Sequence, residues 1–296
     1  MELLCWDGVY KRFGEKEVLK GLSLSVPEHS VFGFVGQNGA GKTTAMKLAL
    51  GLLKAESGTV RIGGESVQYG QTPTNQWVGY LPDVPEFYSF LTAREYLSLC
   101  GKIAGLSPRE RESRCRELLE LVGLAEEHRR VKGFSRGMKQ RLGIAQALLH
   151  RPKLLLCDEP TSALDPMGRK DILDLLSAVR EQTTVLFSTH ILSDVERICT
   201  DVAVLHNGKV ELQGSLTDLK HRCGGEYLLE TENRQDAEML LRRFPTLREQ
   251  GEQQLLFKEE LLSALLVFLA EQKISPIRLE RQEPSLESLF MEVVEQ

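Results

Sequence analysis

The sequence lacks any apolar run long enough to cross a membrane. A transmembrane helix needs roughly 18 consecutive apolar residues, whereas the longest run here covers residues 261–270 and is interrupted by Ser263. A signal pattern is also missing at the N-terminus, because Met1 is followed by Glu2 and no basic segment leads into an apolar stretch. We therefore expect the chain to stay in the cytosol.

Cysteine is sparse, and its spacing excludes the common cysteine-based sites. The chain has six cysteines in 296 residues, without a CxxC pair or a Cys/His cluster at zinc spacing. We expect reduced, mostly buried thiols, and no metal bound by cysteine.

The C-terminal part of the chain lacks an excess of positive charge. The formal net charge is −5, and residues 224–296 carry 15 acidic and 8 basic side chains. Nucleic-acid phosphates need clustered lysine and arginine. This balance disfavours a nucleic-acid partner, and we expect none.

The chain divides into two parts that differ in their pattern of apolar, polar and glycine residues. Hydrophobic residues make up 42% and charged residues 27%, as in a globular protein. The early part alternates short β-branched segments with amphipathic ones, which is typical of a sheet covered by helices. Residues 226–296 instead predict strand, helix, strand, helix, strand, helix, without glycine-rich loops. We predict an α/β domain over residues 1–215 and a small acidic α+β domain over residues 216–296.

Local signals mark where several elements begin and turn. Residues 92–95 (TARE) and 107–110 (SPRE) have the spacing of capping boxes at helix starts. Residues 153–157 and 183–187 lack polar alternation and predict fully buried strands. The Asn-Gly pair at residues 207–208 predicts a hairpin turn.

Residues 36–43 (GQNGAGKT) match the phosphate-binding pattern GxxxxGK[ST] directly after an apolar segment, as that motif requires. Glycines let several backbone N–H groups point at one phosphate group, and the following helix start adds positive potential. Lys42 can reach the outer phosphates, and the Thr43 hydroxyl can coordinate Mg²⁺. The alternative is a glycine-rich turn without a ligand, which the Lys-Thr pair makes unattractive. The predicted phosphate-binding residues are Gly36, Asn38, Gly39, Ala40, Gly41, Lys42, Thr43 and Thr44.

Residues 154–159 (LLLCDE) form an apolar segment that ends in two carboxylates. A buried strand would deliver Asp158 rigidly to the edge of the sheet, where it can hold Mg²⁺ directly or through water. Glu159 follows at once and is suited to polarise an attacking water molecule. A strand followed by an acidic helix cap is the alternative, and the phosphate-binding pattern elsewhere in the chain argues against it.

Residues 134–141 (FSRGMKQR) open a further predicted helix and carry the most specific pattern. This segment resembles the signature motif of the ABC ATPases, which usually reads LSGGQ. The resemblance covers residues 1–215, with the motifs in the order expected for the family. It implies an α/β P-loop ATPase fold with a mixed sheet core, a helical signature subdomain and an antiparallel β subdomain. ATP and Mg²⁺ are the cofactors that it implies.

The resemblance also implies roles for individual residues. His190 matches the switch histidine that senses the γ-phosphate, and Phe13 matches an aromatic residue that stacks on adenine. Ser135 and Gly137 would face the γ-phosphate held by a second copy, so a homodimer around two ATP molecules is expected. A capped helix, a structural histidine and a core aromatic are the ordinary alternatives. The expected catalytic residues are Lys42, Glu159 and His190.

Three positions depart from the family pattern, and at one of them Phe134 replaces the usual leucine of the signature motif. Asp83 stands where the family has a glutamine that links Mg²⁺ and water to the membrane partner. Aspartate is shorter, and a bridging water could restore its reach; we include Asp83 as a metal candidate with Thr43 and Asp158. Arg136 replaces the first signature glycine, where it either attracts phosphate or points to solvent.

These features predict the ATP-hydrolysing subunit of an ABC transporter. The resemblance implies a permease on a separate chain, which would hold the protein at the inner face of the cell membrane. Asp83 and the segment at residues 284–290 (PSLESLF) resemble bacterial exporter ATPases of the drug- and antibiotic-resistance type. Phe87, Tyr88 and Phe90 either line the groove that receives the permease or serve local packing.

Two other classes of function fit less well. Soluble ABC ATPases that act on ribosomes or DNA resemble two fused ATPase domains, or one domain split by a long coiled coil, and this sequence shows neither pattern. A nucleotide-binding regulator without turnover would not need Lys42, Asp158, Glu159 and His190 together.

Overall fold

The computed structural model describes residues 2–70, 72–222 and 226–282, together with Leu286, Glu287 and Leu289. The chain forms two compact units, Met1–Leu216 and Thr217–Gln296. Among the described residues, no helix combines the length and the apolar character that crossing a bilayer requires.

The first unit contains two sheets. Its strands are β1 (Glu2–Phe13), β2 (Lys16–Pro27), β3 (Val31–Val35), β4 (Ser57–Ile62), β5 (Glu65–Ser66), β6 (Val78–Leu81), β7 (Leu154–Asp158), β8 (Thr184–Thr189), β9 (Asp201–His206) and β10 (Lys209–Ser215). Its helices are α1 (Lys42–Ala49), α2 (Ala93–Ile103), α3 (Pro108–Leu121), α4 (Arg136–Ala147), α5 (Pro166–Val179) and α6 (Leu192–Ile198), and α7 (Leu216–Arg222) follows.

The larger sheet has the strand order β10-β9-β3-β8-β7-β6. Strands β9, β3, β8, β7 and β6 run parallel, and β10 joins β9 antiparallel. Every residue of β3, β7 and β8 is buried. A parallel strand that is covered on both faces needs no polar alternation, so the buried strands predicted near residues 154 and 184 are confirmed.

The second sheet is antiparallel, with the order β2-β1-β4-β5. Its inward side chains join the core of the larger sheet, where the Trp6 and Phe34 rings stack with centroids 6.3 Å apart. The Trp6 indole donates a hydrogen bond to the Ala45 carbonyl of α1 at 3.2 Å. This sheet therefore holds α1, the helix that follows the phosphate-binding pattern, against the core.

Helices α2, α3 and α4 pack together between β6 and β7 in the chain. Both predicted capping boxes are formed: the Thr92 side chain accepts from the Glu95 N–H, and the Ser107 side chain accepts from the Glu110 N–H. Such boxes satisfy backbone donors that a helix start leaves unpaired. They fix the beginnings of α2 and α3 by short-range sequence alone.

The predicted hairpin at residues 207–208 is also confirmed. His206 pairs with Lys209 across the turn between β9 and β10, with φ of 47° at Asn207 and 82° at Gly208. Asparagine and glycine tolerate this left-handed conformation better than other residues. The turn therefore closes the β9–β10 pair in the expected register.

The second unit is a small α+β structure. It contains β11 (Glu226–Glu230), α8 (Arg234–Arg243), β12 (Arg248–Glu249), β13 (Gln254–Lys258), α9 (Leu262–Gln272) and β14 (Arg278–Arg281). Its antiparallel sheet has the order β12-β13-β11-β14, and Leu229, Leu240, Phe257 and Leu265 belong to its core. The alternation of strands and helices predicted from residue 226 is confirmed up to β14. The last predicted helix and the exporter-like segment at residues 284–290 lie largely outside the described residues.

The described cysteines are all free thiols. Cys115, Cys157 and Cys199 are buried, and burial raises the pKa of each thiol. Raised pKa values keep thiols protonated and poorly reactive. The prediction of reduced thiols is confirmed for these positions, and Cys223 lies outside the described residues.

Candidate functional site

The loop between β3 and α1 requires glycine at two positions. Gly41 has a φ of +113°, and a Cβ there would lie 2.7 Å from Leu19 Cδ2. A Cβ at Gly36 would lie 2.5 Å from the Leu205 carbonyl oxygen. Gly41 is also the N-cap of α1 and offers no side-chain cap, so amides in the first turn are left for an outside acceptor. This is the geometry of an anion-binding helix start.

Lys42 is the first residue of α1 and is only 6% exposed. Its Nζ donates to the carbonyl oxygens of Gly36 at 2.5 Å and Gln37 at 3.3 Å. The same Nζ lies 3.1 Å from Glu159 Oε1, close enough for an ion pair although not aligned as a hydrogen bond. The Lys42 amine is thus held directly beside the loop at residues 36–43.

Glu159 follows β7 with a φ of +47°, a conformation that costs a non-glycine residue free energy. Its backbone N–H donates to both the carbonyl and the hydroxyl oxygen of Ser188 on β8, which holds it in place. Glu159 Oε2 lies 3.0 Å from His190 Nδ1. The carboxylate therefore sits between the Lys42 amine and the His190 ring, with its own side chain only 13% exposed.

Thr43 and Asp158 offer oxygen atoms suited to a hard metal ion. The Thr43 hydroxyl donates to Asp158 Oδ2 at 2.7 Å, and the Ser188 hydroxyl donates to Asp158 Oδ1 at 2.6 Å. The described residues contain no cluster of three or more His, Cys, Asp or Glu side chains arranged around a metal. Mg²⁺ in nucleotide sites typically takes one or two protein oxygens and completes its shell with phosphate and water. The pair fits this ion.

These residues meet in one cavity of about 480 Å³. The cavity is lined by Phe13, Lys16, Val18, Gln37, Asn38, Gly39, Gly41, Lys42, Thr43, Thr44, Asp83, Asp158, Glu159, Ser162 and His190. Gly36 and Ala40 belong to the same loop without lining the cavity. Sequence reasoning missed Lys16, Val18 and Ser188. For the first two, the available signal was their position on the strand that follows Phe13.

Ser135 and Gly137 do not line this cavity. Ser135 caps α4 by accepting a hydrogen bond from the Met138 N–H at 3.2 Å, and its side chain is exposed. A Cβ at Gly137 would meet only Leu164, at 3.9 Å. The start of α4 is therefore an open surface rather than a wall of the cavity in the same chain.

Asp83 lies at the rim of the cavity and is paired with Arg136. Arg136 Nη2 donates to Asp83 Oδ1 at 3.2 Å, and the two side chains are 42% and 47% exposed. Partial burial raises the pKa of the Asp83 carboxyl above its ordinary value, while the Arg136 guanidinium opposes that shift. Arg136 is thus both half-exposed and paired with Asp83, and attraction of a phosphate group by Arg136 stays a prediction.

Comparison of the sequence with known proteins identifies the family to which the chain belongs. A model of the ABC transporter family matches residues 19–162. The ABC transporter ATP-binding protein YxlF of Bacillus subtilis, described as uncharacterized, is 43% identical over 221 residues, which are 74% of this chain and 73% of that protein. The chain belongs to the ABC transporter ATP-binding proteins. The predicted family is confirmed.

Two further comparisons extend over more of this ABC ATPase. The linearmycin resistance ATP-binding protein LnrL of Bacillus subtilis is 33% identical over 298 residues, with 96% of each chain covered. The structure of cbiO1 from Clostridium perfringens, described as part of the ABC transporter complex cbiONQ, has a TM-score of 0.67 and 25% identity. It covers 82% of this chain and 96% of that one.

These comparisons confirm the predicted fold of the ATPase domain and the predicted ATPase activity. The parallel-rich sheet, the antiparallel sheet and the helices are those of an ABC ATPase domain. The chain is an ATP-binding subunit of an ABC transporter, in a family whose members bind adenine nucleotide and hydrolyse ATP. This membership favours the transporter prediction over a soluble ATPase that acts on ribosomes or DNA.

Proposed function

We propose that this ABC ATPase works as a homodimer that encloses two molecules of Mg·ATP. One observation carries the proposal: the phosphate loop lines a cavity, whereas Ser135 and Gly137 leave their exposed helix start outside it. An exposed helix start can receive a phosphate group, and Ser135, Arg136 and Gly137 form the start of α4. A second copy would supply that surface to the triphosphate, so each site would be complete only in the dimer.

Within each site the residues divide the work. The loop amides and Lys42 would bind the phosphates, and Thr43 and Asp158 would hold Mg²⁺, which supplies charge neutralisation on the phosphate oxygens when bound. Glu159 would orient and polarise the attacking water, because its carboxylate lies between Lys42 and His190. His190 would hold Glu159 Oε2 and respond to the γ-phosphate.

Phe13 is proposed to stack on the adenine ring. It lies at the end of β1, its side chain is 49% exposed, and it lines the cavity beside Lys16 and Val18. An exposed aromatic face beside a phosphate site suits a nucleobase. The core alternative for Phe13 does not fit this exposure.

The permease is proposed to dock beside Tyr88 and Phe90. These rings are 56% and 62% exposed, and their centroids lie 5.9 Å apart. Phe87 instead packs edge-on against Tyr96 at 5.0 Å and lines a neighbouring cavity of about 530 Å³. Exposed aromatic pairs suit a protein interface. The permease would be a separate chain and would keep this subunit at the cytoplasmic face of the membrane.

The direction of transport is proposed to be export. The support is the 33% identity with a linearmycin resistance protein over 96% of both chains. No nucleic-acid partner is proposed, because acidic residues outnumber basic ones in the chain.

Co-purification tests this assignment. Extracted in mild detergent from the membranes of its native host, the tagged protein should bring down a polypeptide with membrane-spanning helices. Phe90→Asp should reduce the recovery of that polypeptide about tenfold, because it places a charge in an aromatic interface. Ile103→Asp is the matched control, since Ile103 is 79% exposed at the end of α2 and should tolerate the charge. Recovery of no membrane polypeptide under any extraction condition would refute the docking proposal.

We also propose that the second unit is an accessory domain. Each residue placed in the nucleotide site lies between Phe13 and His190, within the first unit. A chain without residues 224–296 should therefore bind Mg·ATP within about twofold of the full chain, because the removed segment contains none of the residues placed in the nucleotide site. Titration with a fluorescent ATP analogue measures this. Lost binding by a truncated chain with intact helical circular dichroism would show that the second unit completes the site.

A further inference from the structure

Asp83 is tied to α4 by two contacts. Its carboxylate pairs with Arg136, the first residue of α4, and its carbonyl oxygen accepts a hydrogen bond from Gln140 Nε2 at 2.7 Å. Gln140 is fully buried, so this second contact is rigid. The segment after β6, which contains Asp83, is therefore fixed to α4, the helix that begins at the signature motif.

Asp83 also stands where two cavities meet. It lines the nucleotide cavity together with Thr43 and Asp158, and it lines the neighbouring cavity together with Arg136. Asp158 and Glu159 line the same nucleotide cavity as Asp83. Arg136 is the cation that compensates Asp83 on this side.

Two of the departures from the family pattern thus contact each other. Aspartate replaces glutamine at position 83, arginine replaces glycine at position 136, and the introduced charges are opposite and 3.2 Å apart. A glycine could not reach Asp83, and a neutral glutamine would not require a cation.

We propose that Arg136 is a positioning residue that holds the Asp83 carboxylate at the rim of the nucleotide cavity, away from the Thr43–Asp158 pair. The inference rests on the proposed function, because it assumes that this pair holds the metal of Mg·ATP. Without Arg136, the Asp83 carboxylate turns toward the Thr43–Asp158 pair and adds an oxygen ligand to the metal, directly or through a bridging water. Divalent cations such as Mg²⁺ and Mn²⁺ favour carboxylate oxygens, so the metal is then bound more tightly.

The experiment measures metal binding rather than turnover. Free Mn²⁺ is followed by electron paramagnetic resonance while it is titrated into protein saturated with a non-hydrolysable ATP analogue. Arg136→Gln should tighten Mn²⁺ binding about two- to fivefold, the range open to a half-exposed ion pair. Asp83→Asn should leave the affinity close to that of the wild type, and the double variant should match Asp83→Asn.

Two controls separate positioning from a general effect of charge. Arg136→Lys keeps the cation and should stay close to the wild type. Arg94→Gln removes an exposed arginine that pairs with Glu112, far from the cavity lining, and should change nothing. Equal Mn²⁺ affinity in the wild type and Arg136→Gln, with analogue binding intact, overturns the inference alone. So does an increase that persists when Asp83→Asn is added. Failure of the wild-type protein to bind the analogue overturns the proposed function, and the inference with it.

Discussion

Replacing Glu159 by glutamine should lower ATP turnover about 10²–10⁴-fold, the usual range for losing a general base, while ATP still binds. Glutamine keeps the size of the side chain and can still accept a hydrogen bond from His190, but it cannot take a proton from water. Loss of the negative charge beside Lys42 also removes a competitor for that amine. Bound ATP should therefore accumulate in a stable dimer.

Two measurements check this expectation. Phosphate release gives the turnover, and size-exclusion chromatography with light scattering gives the mass with and without Mg·ATP. Glu181→Gln is the control, because Glu181 is exposed and lies outside the cavity lining. Turnover at the wild-type rate would show that Glu159 is not the base. A protein that hydrolyses ATP normally while it remains a monomer would contradict the shared site.

Replacing Lys42 by methionine should weaken ATP binding about 10- to 100-fold, the value of charged hydrogen bonds to a phosphate group. Methionine keeps most of the buried chain but provides no cation. It also leaves the nearly buried Glu159 carboxylate without the amine 3.1 Å away. Repulsion between that carboxylate and the triphosphate adds to the loss.

Equilibrium binding of a fluorescent ATP analogue provides the measurement. Lys47→Met is the matched control, because Lys47 is exposed on the same helix, α1, and should leave affinity unchanged. Wild-type affinity for the analogue in Lys42→Met would show that Lys42 does not belong to the site.

Phe13→Ala should weaken binding of the same analogue by less, about fivefold, which is the lower end of what stacking on a base supplies.

Much of the site could be predicted because its signals are local. The loop at residues 36–43 is specified by glycines whose added Cβ would clash, and the starts of α2 and α3 by side chains three residues apart. Buried parallel strands can be recognised in a sequence because apolar and polar residues do not alternate along them. Residues at the carboxyl ends of such strands then meet at one edge of the sheet, which brings Asp158 close to Thr43.

The contacts that were not predicted connect distant parts of the chain. Asp83 and Arg136 are 53 residues apart in sequence, and no periodicity indicates that their charges pair. Ser188 holds both Asp158 and the Glu159 backbone from a neighbouring strand, a relation that depends on the strand order. Strand order is set by the packing of the whole unit, so a single sequence does not reveal such partners.

The ion pair between Lys42 and Glu159 affects how a nucleotide would enter the site. In the proposed mechanism an arriving triphosphate would displace the Glu159 carboxylate from the Lys42 amine, so nucleotide entry would be an exchange of anions. The displaced carboxylate, the proposed base, would then be available to act on water beside the bound triphosphate.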